Sequence, residues 1–231
     1  MTVGIVTGLA AEAAILRRAA DARRSTERPL IACAGPGEAA ARGAADTLAR
    51  EGAEGLLSFG LAGGLDPSLA PGTVIAAAAV RSAAGESFAT DPAWHVRFLS
   101  LLSGRPRALV ADIASSTEPV ATIAAKRALF AATGAAAIDM ESMGVARAAR
   151  AAQLPFLAVR VICDPASRAL PDAAVMAVGP GGRLRAGVFL ARLALRPGDL
   201  PGLVRLMRDY RSAKARLRHI AAIGLPSFGL L

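Results

Sequence analysis

Five side chains in this sequence have the types and spacing needed for acid–base chemistry. Asp139 and Glu141 close a short apolar run, Ala-Ala-Ile-Asp-Met-Glu-Ser over 136–142. Asp164 closes a second run, Phe156–Cys163, and Arg160 lies four residues before it. Glu12 sits near the start of the chain, in an alanine-rich stretch. Ligands of α/β sheets bind beyond the ends of strands. A carboxyl held at an apolar strand end has its pKa raised, so it can hold or release a proton near neutral pH. A carboxylate beside it can accept hydrogen bonds from hydroxyls. Each residue also has a plainer reading. Glu12 suits a solvated helix face, and Glu141 suits a helix N-terminus, which favours acids. Asp164 before Pro165 suits a turn, and Arg160 suits a structural ion pair.

The elements that must carry these residues alternate along the chain. Strands are expected at Val3–Thr7, Leu30–Cys33, Gly55–Phe59, Thr73–Val80, Arg107–Ile113, Ala136–Met140 and Phe156–Ile162, where β-branched and apolar residues run between breakers. Helices are expected at Ala10–Ala22, Glu38–Glu51, Asp91–Ser103, Glu118–Thr133 and Ser142–Ala152. Beyond Asp164, Ala173–Val178, Leu184–Leu195 and Leu203–Ile220 also read as helices. The last is amphipathic, with Leu203, Met207, Tyr210, Leu217 and Ile220 on one face and Arg205, Arg208 and Arg216 roughly opposite. This alternation predicts an α/β class with a mostly parallel or mixed sheet. It also predicts a single domain over 1–231, with a basic amphipathic C-terminal extension from about 180.

With 54% hydrophobic and 19% charged residues, the chain has enough apolar material for a core, and disorder is excluded. The net charge is +9, and the excess is concentrated. Ten Arg and Lys stand against two acids between Arg183 and Arg218. Such a surface suits an anionic membrane, a nucleic acid or plain solvation. Aromatic residues make up only 4%, too few to stack bases along a strand, so no nucleic-acid partner is expected. Cys33 and Cys163 lie in apolar runs without Cys-x-x-Cys spacing and read as buried reduced thiols, and His95 and His219 lack ligand spacing. No metal and no cofactor is expected. The first residues read as a strand with no basic leader, and no run spans a bilayer, so a cytoplasmic location is expected.

Three glycine-containing turns follow strands: Thr7-Gly8-Leu9, Ala34-Gly35-Pro36-Gly37 and Gly60-Leu61-Ala62-Gly63-Gly64. None matches Gly-x-Gly-x-x-Gly and no Walker lysine is present, which removes the dinucleotide and nucleoside-triphosphate readings. The ordered set of Gly4-Ile5-Val6, Glu12, Phe59–Leu65, Pro71–Ile75, Asp139-Met140-Glu141-Ser142 and Pro155–Asp164 resembles the nucleoside phosphorylase/nucleosidase family. Its hydrolytic branch includes the methylthioadenosine/S-adenosylhomocysteine nucleosidases. The resemblance runs from Val3 to about Pro165.

The resemblance implies a three-layer α/β fold with a central mixed sheet flanked by helices, and cleavage of an N-glycosidic bond. By position, Asp164 matches the general acid at purine N7, and Glu141 matches the carboxylate that holds the ribose hydroxyls, with Met140 beside the sugar. Glu12 matches the base that orients the attacking water, and Arg160 an arginine near that water. Asp139 takes a supporting role. Gly63 and Leu61 belong to the loop that lines the substrate, where Leu61 replaces a residue that often carries a hydroxyl. The first loop carries Glu12 and no arginine before Arg17, which favours water over phosphate as the nucleophile. The purine-stacking aromatic often found before the helix at Glu118 is missing from Ser115–Val120.

The chain continues for 67 residues past Asp164, further than compact nucleosidases do. That basic tail resembles the hopanoid-associated branch of the family, implicated in releasing adenine from adenosylhopane. The resemblance therefore implies a small nucleoside substrate, lipid-linked in this branch. It also implies a homodimer, and peripheral contact with the inner membrane surface through the tail. The tail equally suits packing on the core or a dimer contact. A methylthioadenosine/S-adenosylhomocysteine-type nucleosidase, a purine nucleoside phosphorylase and a non-catalytic nucleoside-binding protein stay open as alternatives.

Overall fold

The computed structural model describes residues 1–23, 28–102, 107–171, 174–175, 178–183, 185–195, 198 and 200–230. The alternation expected from the sequence is realised as β1 (Val3–Thr7), α1 (Ala10–Ala22), β2 (Leu30–Cys33), α2 (Glu38–Arg50) and β3 (Gly55–Gly64). These are followed by β4 (Val74–Ser82), β5 (Ser87–Ala89), α3 (Pro92–Leu101), β6 (Ala108–Ser115) and α4 (Ile123–Thr133). Next come β7 (Ala137–Asp139), α5 (Ser142–Ala151) and β8 (Phe156–Asp164), and two C-terminal helices, α6 (Ala186–Leu195) and α7 (Leu200–Gly224).

Side-chain chemistry explains several boundaries. Asp91 caps α3 by accepting from the Trp94 amide, with Pro92 in the first turn. Thr122 caps α4 in the same way, and Gly134 ends that helix in a left-handed conformation. The expected start of α4 at Glu118 is therefore corrected to Ile123: the Thr122 cap outweighs the polar run before it. β3 runs on through Gly60–Gly64, so the third glycine segment is extended strand and not a turn. Pairing with β8 holds it extended. The short strand β5 was not expected from the sequence. Half of the helix expected at 173–178 (residues 173, 176 and 177) lies outside the described residues.

The sheet is mixed and closes on itself. β3 runs parallel to β1 and β8, while β8 runs antiparallel to β4. β4 and β7 both run parallel to β6, and β7 returns antiparallel to the end of β3. α2 and α5 cover one face, with Ala41, Ala45, Leu48, Met143 and Val145 in its core. α1, α3 and α7 cover the other, through Ile15, Leu16, Trp94, Phe98, Leu217 and Ile220.

α2 and α5 meet at Gly144, where a Cβ would press into the Glu38 carbonyl oxygen and lie 2.9 Å from the Arg42 amide. Backbone cannot yield as a side-chain tip can. Gly144→Ala is therefore expected to destabilise the fold by about 1–3 kcal/mol, read as a lower urea midpoint with an unchanged slope.

The basic tail packs its apolar stripe on the core. Leu203, Ala213, Leu217, Ile220 and Ala221 are buried, while Arg205, Arg208, Arg211, Arg216 and Arg218 stay exposed. Met207 is corrected from the buried face to the surface, at 44% exposure, because the helix turns it away from the sheet. The chain end is anchored by Trp94 Nε1, which donates to the Phe228 carbonyl at 2.9 Å, and by Arg97 Nε, which donates to Gly229 at 2.7 Å.

Candidate active site

Glu12 is buried despite lying on an alanine-rich helix. It is the third residue of α1, and its Oε2 accepts from the Leu9 amide at 2.9 Å, closing the first turn. Its Oε1 accepts from the Leu61 amide on β3 at 2.8 Å. Gly60 makes room for this, since a Cβ there would lie 2.8 Å from both carboxylate oxygens. Burial raises the Glu12 pKa, against the lowering effect of the Leu61 amide and the Arg160 charge. The solvated-helix reading of Glu12 is thus replaced by a buried carboxylate locked onto β3. Leu61 acts here through its backbone, which explains why its lack of a hydroxyl does not empty the position.

Glu141 stands at the start of α5, but it does not cap the helix through its side chain. Asp139 does that instead, with its Oδ1 accepting from the Ser142 amide at 3.1 Å. Glu141 is free to point at the ends of β1 and β2. Its Oε1 accepts from the Gly37 amide at 3.3 Å and its Oε2 from the Met140 amide at 3.4 Å. Gly8 admits it, as a Cβ there would lie 2.8 Å from the carboxyl carbon. Met140 is half-buried beside it.

Arg160, on β8, joins these acids. Its Nε donates to Asp139 Oδ2 at 2.7 Å, and its Nη2 donates to Ser58 Oγ at 2.7 Å and Ser142 Oγ at 3.1 Å. Nη2 also lies 3.8 Å from Glu141 Oε2. Burial works against its charge, but Asp139, Glu141 and Glu12 outweigh burial and raise its pKa. Arg160 is therefore a buried ion-pair hub beside Asp139, Glu141 and Glu12. Ser58 and Ser142 were missed from sequence, since an isolated serine in an apolar run carries no signal.

The Glu141 pKa is pushed up to about 7, first by burial and then by Asp139, with Arg160 opposing. A carboxyl raised from 4.5 stabilises the fold while protonated. That contribution is complete below about pH 4.5 and is lost as pH rises through about 7. Between pH 4.5 and 8 the parent protein is expected to lose about 1–3 kcal/mol more stability than Glu141→Gln, measured by urea titration at the two pH values.

Asp164 ends β8, and Gly63 lies against it, where a Cβ would be 3.3 Å from Oδ2. Across β3 and β8, Gly60 pairs with Arg160 and Gly63 with Asp164. Three residues of strand place Asp164 about 10 Å from the Glu12 end of the site. Asp164 is not a solvated turn residue. Lys126 of α4, fully buried, donates to its Oδ2 at 2.5 Å. Burial raises the Asp164 pKa, with Lys126 opposing. Nothing in the sequence around Lys126 marks this partner. A cavity of about 250 Å³ opens at Asp164, lined also by Ile123, Arg168, Leu170, Arg205 and Asp209. It does not extend to Glu12 or Glu141.

Two further features border the site. The turn Pro180–Gly182 closes over the β1 and β2 ends, with Gly182 packed against Gly8 and Leu9. Tyr210 of α7 is half-buried, and its pKa is raised by burial and then by the nearby Glu12 charge. Cys33 and Cys163 are half-buried and free. His95 lies on α3 with a buried, unpartnered Nε2. Among the described residues, no group of His, Cys, Asp and Glu is arranged to hold a metal ion.

Residues 18–194 match the sequence model of the phosphorylase superfamily, so Lys126, Glu141, Arg160 and Asp164 fall inside the match and Glu12 just before it. Among solved structures, the chain is similar to the 5'-methylthioadenosine/S-adenosylhomocysteine nucleosidase of Helicobacter pylori bound to butyl-thio-DADMe-Immucillin-A. The two are 15% identical with a TM-score of 0.70, covering 95% of this chain and 97% of the other. It is similar to the corresponding nucleosidase of S. pneumoniae with the transition-state inhibitor MT-ImmA, at 17% identity and a TM-score of 0.69, covering 96% and 99%. It is also similar to the futalosine hydrolase of Helicobacter pylori, at 15% identity and a TM-score of 0.70, covering 95% and 97%. With these coverages the C-terminal segment lies largely inside the shared fold, so the extra length expected past Asp164 is not found against these structures. A search of curated protein sequences finds no match.

Proposed function

Since this chain belongs to the phosphorylase superfamily, we propose that it cleaves the N-glycosidic bond of an adenine nucleoside, with water as the nucleophile. The observation that carries this reading is the grouping of Glu12 and Glu141 around the Arg160 charge, with Asp164 about 10 Å along the same pair of strands. Glu12, ionised but with a raised pKa, takes a proton from water as the oxygen attacks the anomeric carbon. Glu141 accepts from the ribose hydroxyls, and Met140 packs beside the sugar. The C–N bond breaks and its electrons pass to the purine. Asp164 places its proton on N7, so adenine leaves neutral. Arg160 holds the orientation of the acids and balances their charge.

For the substrate we propose adenosylhopane, giving ribosylhopane and adenine, with the chain working as a dimer at the inner membrane surface. The cavity at Asp164 and the surface of α7 support this reading. Arg205 and Leu206 of α7 line the cavity. The neighbouring face of the same helix exposes Leu200, Val204 and Met207 in a helical stripe beside Arg208 and Arg211. An apolar stripe flanked by arginines suits a lipid–water interface. Among the described residues no helix is long and apolar enough to cross a membrane, so the contact proposed is peripheral.

One experiment separates the readings. Adenine release is measured from adenosylhopane in anionic vesicles and from methylthioadenosine, each with and without phosphate. Faster cleavage of adenosylhopane, independent of phosphate, is expected. Much faster cleavage of methylthioadenosine removes the lipid substrate. Strict phosphate dependence makes the enzyme a phosphorylase. Binding without turnover removes the catalytic reading.

A further inference from the structure

Lys126 is a buried lysine in contact with the candidate acid, and no sequence pattern marks it. Its Nζ donates to Asp164 Oδ2 at 2.5 Å, to the Pro165 carbonyl at 3.0 Å and to the Arg168 carbonyl at 3.0 Å. An ammonium has three N–H donors, and all three are used. Two of the acceptors belong to the loop that follows Asp164 and lines its cavity. Burying an ammonium is costly, and an apolar pair of similar volume is often as stable. Stability is therefore a weak reason for a lysine here. The other charged groups around the Asp164 cavity are Asp209 and Arg205 of α7 and Arg168 of the loop; Arg168 is paired with Asp209, and Arg205 is exposed. Lys126 of α4 is thus the cation committed to Asp164.

Resting on the assignment of Asp164 above, we propose that Lys126 is the positioning residue of the general acid. It fixes Oδ2 and the 165–168 loop so that the carboxyl faces the cavity, and it stabilises the carboxylate left when the proton moves to the purine. The balance is simple. The Asp164 O–H bond breaks, the purine N7–H bond forms, and the Lys126 ammonium keeps its proton throughout. Asp164 regains a proton from water in the cavity between turnovers.

The test uses Lys126→Met and Lys126→Arg with two readouts. The first is the titration of the Asp164 carboxyl carbon by NMR in the substrate-free protein, which needs no activity. The second is the pH profile of kcat/KM for adenine release. In Lys126→Met, the Asp164 titration and the alkaline limb of the profile should both move up by about one pH unit or more. kcat should fall about 10- to 100-fold. Lys126→Arg, which keeps the charge, should hold both midpoints near the parent values and recover most of the rate. The proposal is overturned if Lys126→Met lowers melting temperature and rate while Asp164 titrates as in the parent. If Lys126→Met does not fold, the neutral Lys126→Gln takes its place: an Asp164 titration moved up upholds the proposal, and one unchanged from the parent overturns it. If the parent protein releases adenine from no nucleoside, the catalytic reading fails, while the NMR titration still reports whether Lys126 controls Asp164.

Discussion

Replacing Asp164 by Asn is expected to lower kcat for adenine release by about 10²- to 10⁴-fold, with KM changed little. Asn keeps the shape and still offers an oxygen to Lys126 Nζ, so the cavity and the 165–168 loop should persist. What disappears is the transferable proton. Burial raises the Asp164 pKa, with Lys126 opposing, so the carboxyl holds its proton to higher pH than an ordinary aspartate. A general acid works while protonated. The parent rate should therefore fall as pH rises through the Asp164 pKa, while the residual Asp164→Asn rate should lack that limb. Steady-state kinetics across pH, with adenine detected as product, decides the matter. A variant that keeps the parent kcat and loses only affinity would show that Asp164 binds the purine without protonating it.

The second large effect is on the fold. Arg160→Met should cost about 3–5 kcal/mol of stability and abolish activity. Asp139 loses its 2.7 Å partner, and Ser58 and Ser142 lose a shared donor. The nearby carboxylates Asp139, Glu141 and Glu12 then face one another in the core with no balancing charge. The folded-state pKa values of Glu141 and Glu12 should rise, because the lowering influence of Arg160 is gone. A raised carboxyl pKa stabilises the fold at low pH and ceases to do so as pH increases. The deficit of Arg160→Met should therefore be smallest near pH 4.5 and grow toward neutrality, measured by urea unfolding at several pH values. Arg160→Lys keeps a charge but not the planar fork, and should fall between the two. A deficit that does not vary with pH would mean that Arg160 contributes by packing alone.

These two expectations treat the site as two linked clusters, and the link is β3. Its glycines do what no side chain could do there. Gly60 admits the Glu12 carboxylate and Gly63 admits Asp164, on a strand held extended between β1 and β8. From sequence, the same glycines read as a turn after a strand. The difference has a physical origin: glycine is tolerated in a strand where another group must approach the backbone closely, and only the partner strand and the approaching carboxylates reveal that need.

Much was legible without coordinates. The alternating apolar runs and breakers predicted α1 at Ala10–Ala22 and β2 at Leu30–Cys33, with the bounds observed. Element types follow from local periodicity, and local periodicity is written in consecutive residues. For the same reason, acids at the ends of apolar runs were visible as candidates, and the charge of the tail could be counted. What the sequence by itself determined is therefore the alternation of elements and the chemical types available at strand ends. The tertiary structure alone decided which of those groups meet. Glu12 reaches the Leu61 amide across 49 residues, Glu141 the Gly37 amide across 104, and Lys126 finds Asp164 across 38. Such partners depend on strand register and on where helices cross the sheet, and burial then sets their charge state. A lysine in an alanine-rich helix is ordinary as sequence; enclosed against an aspartate, it becomes the counter-charge of the candidate acid.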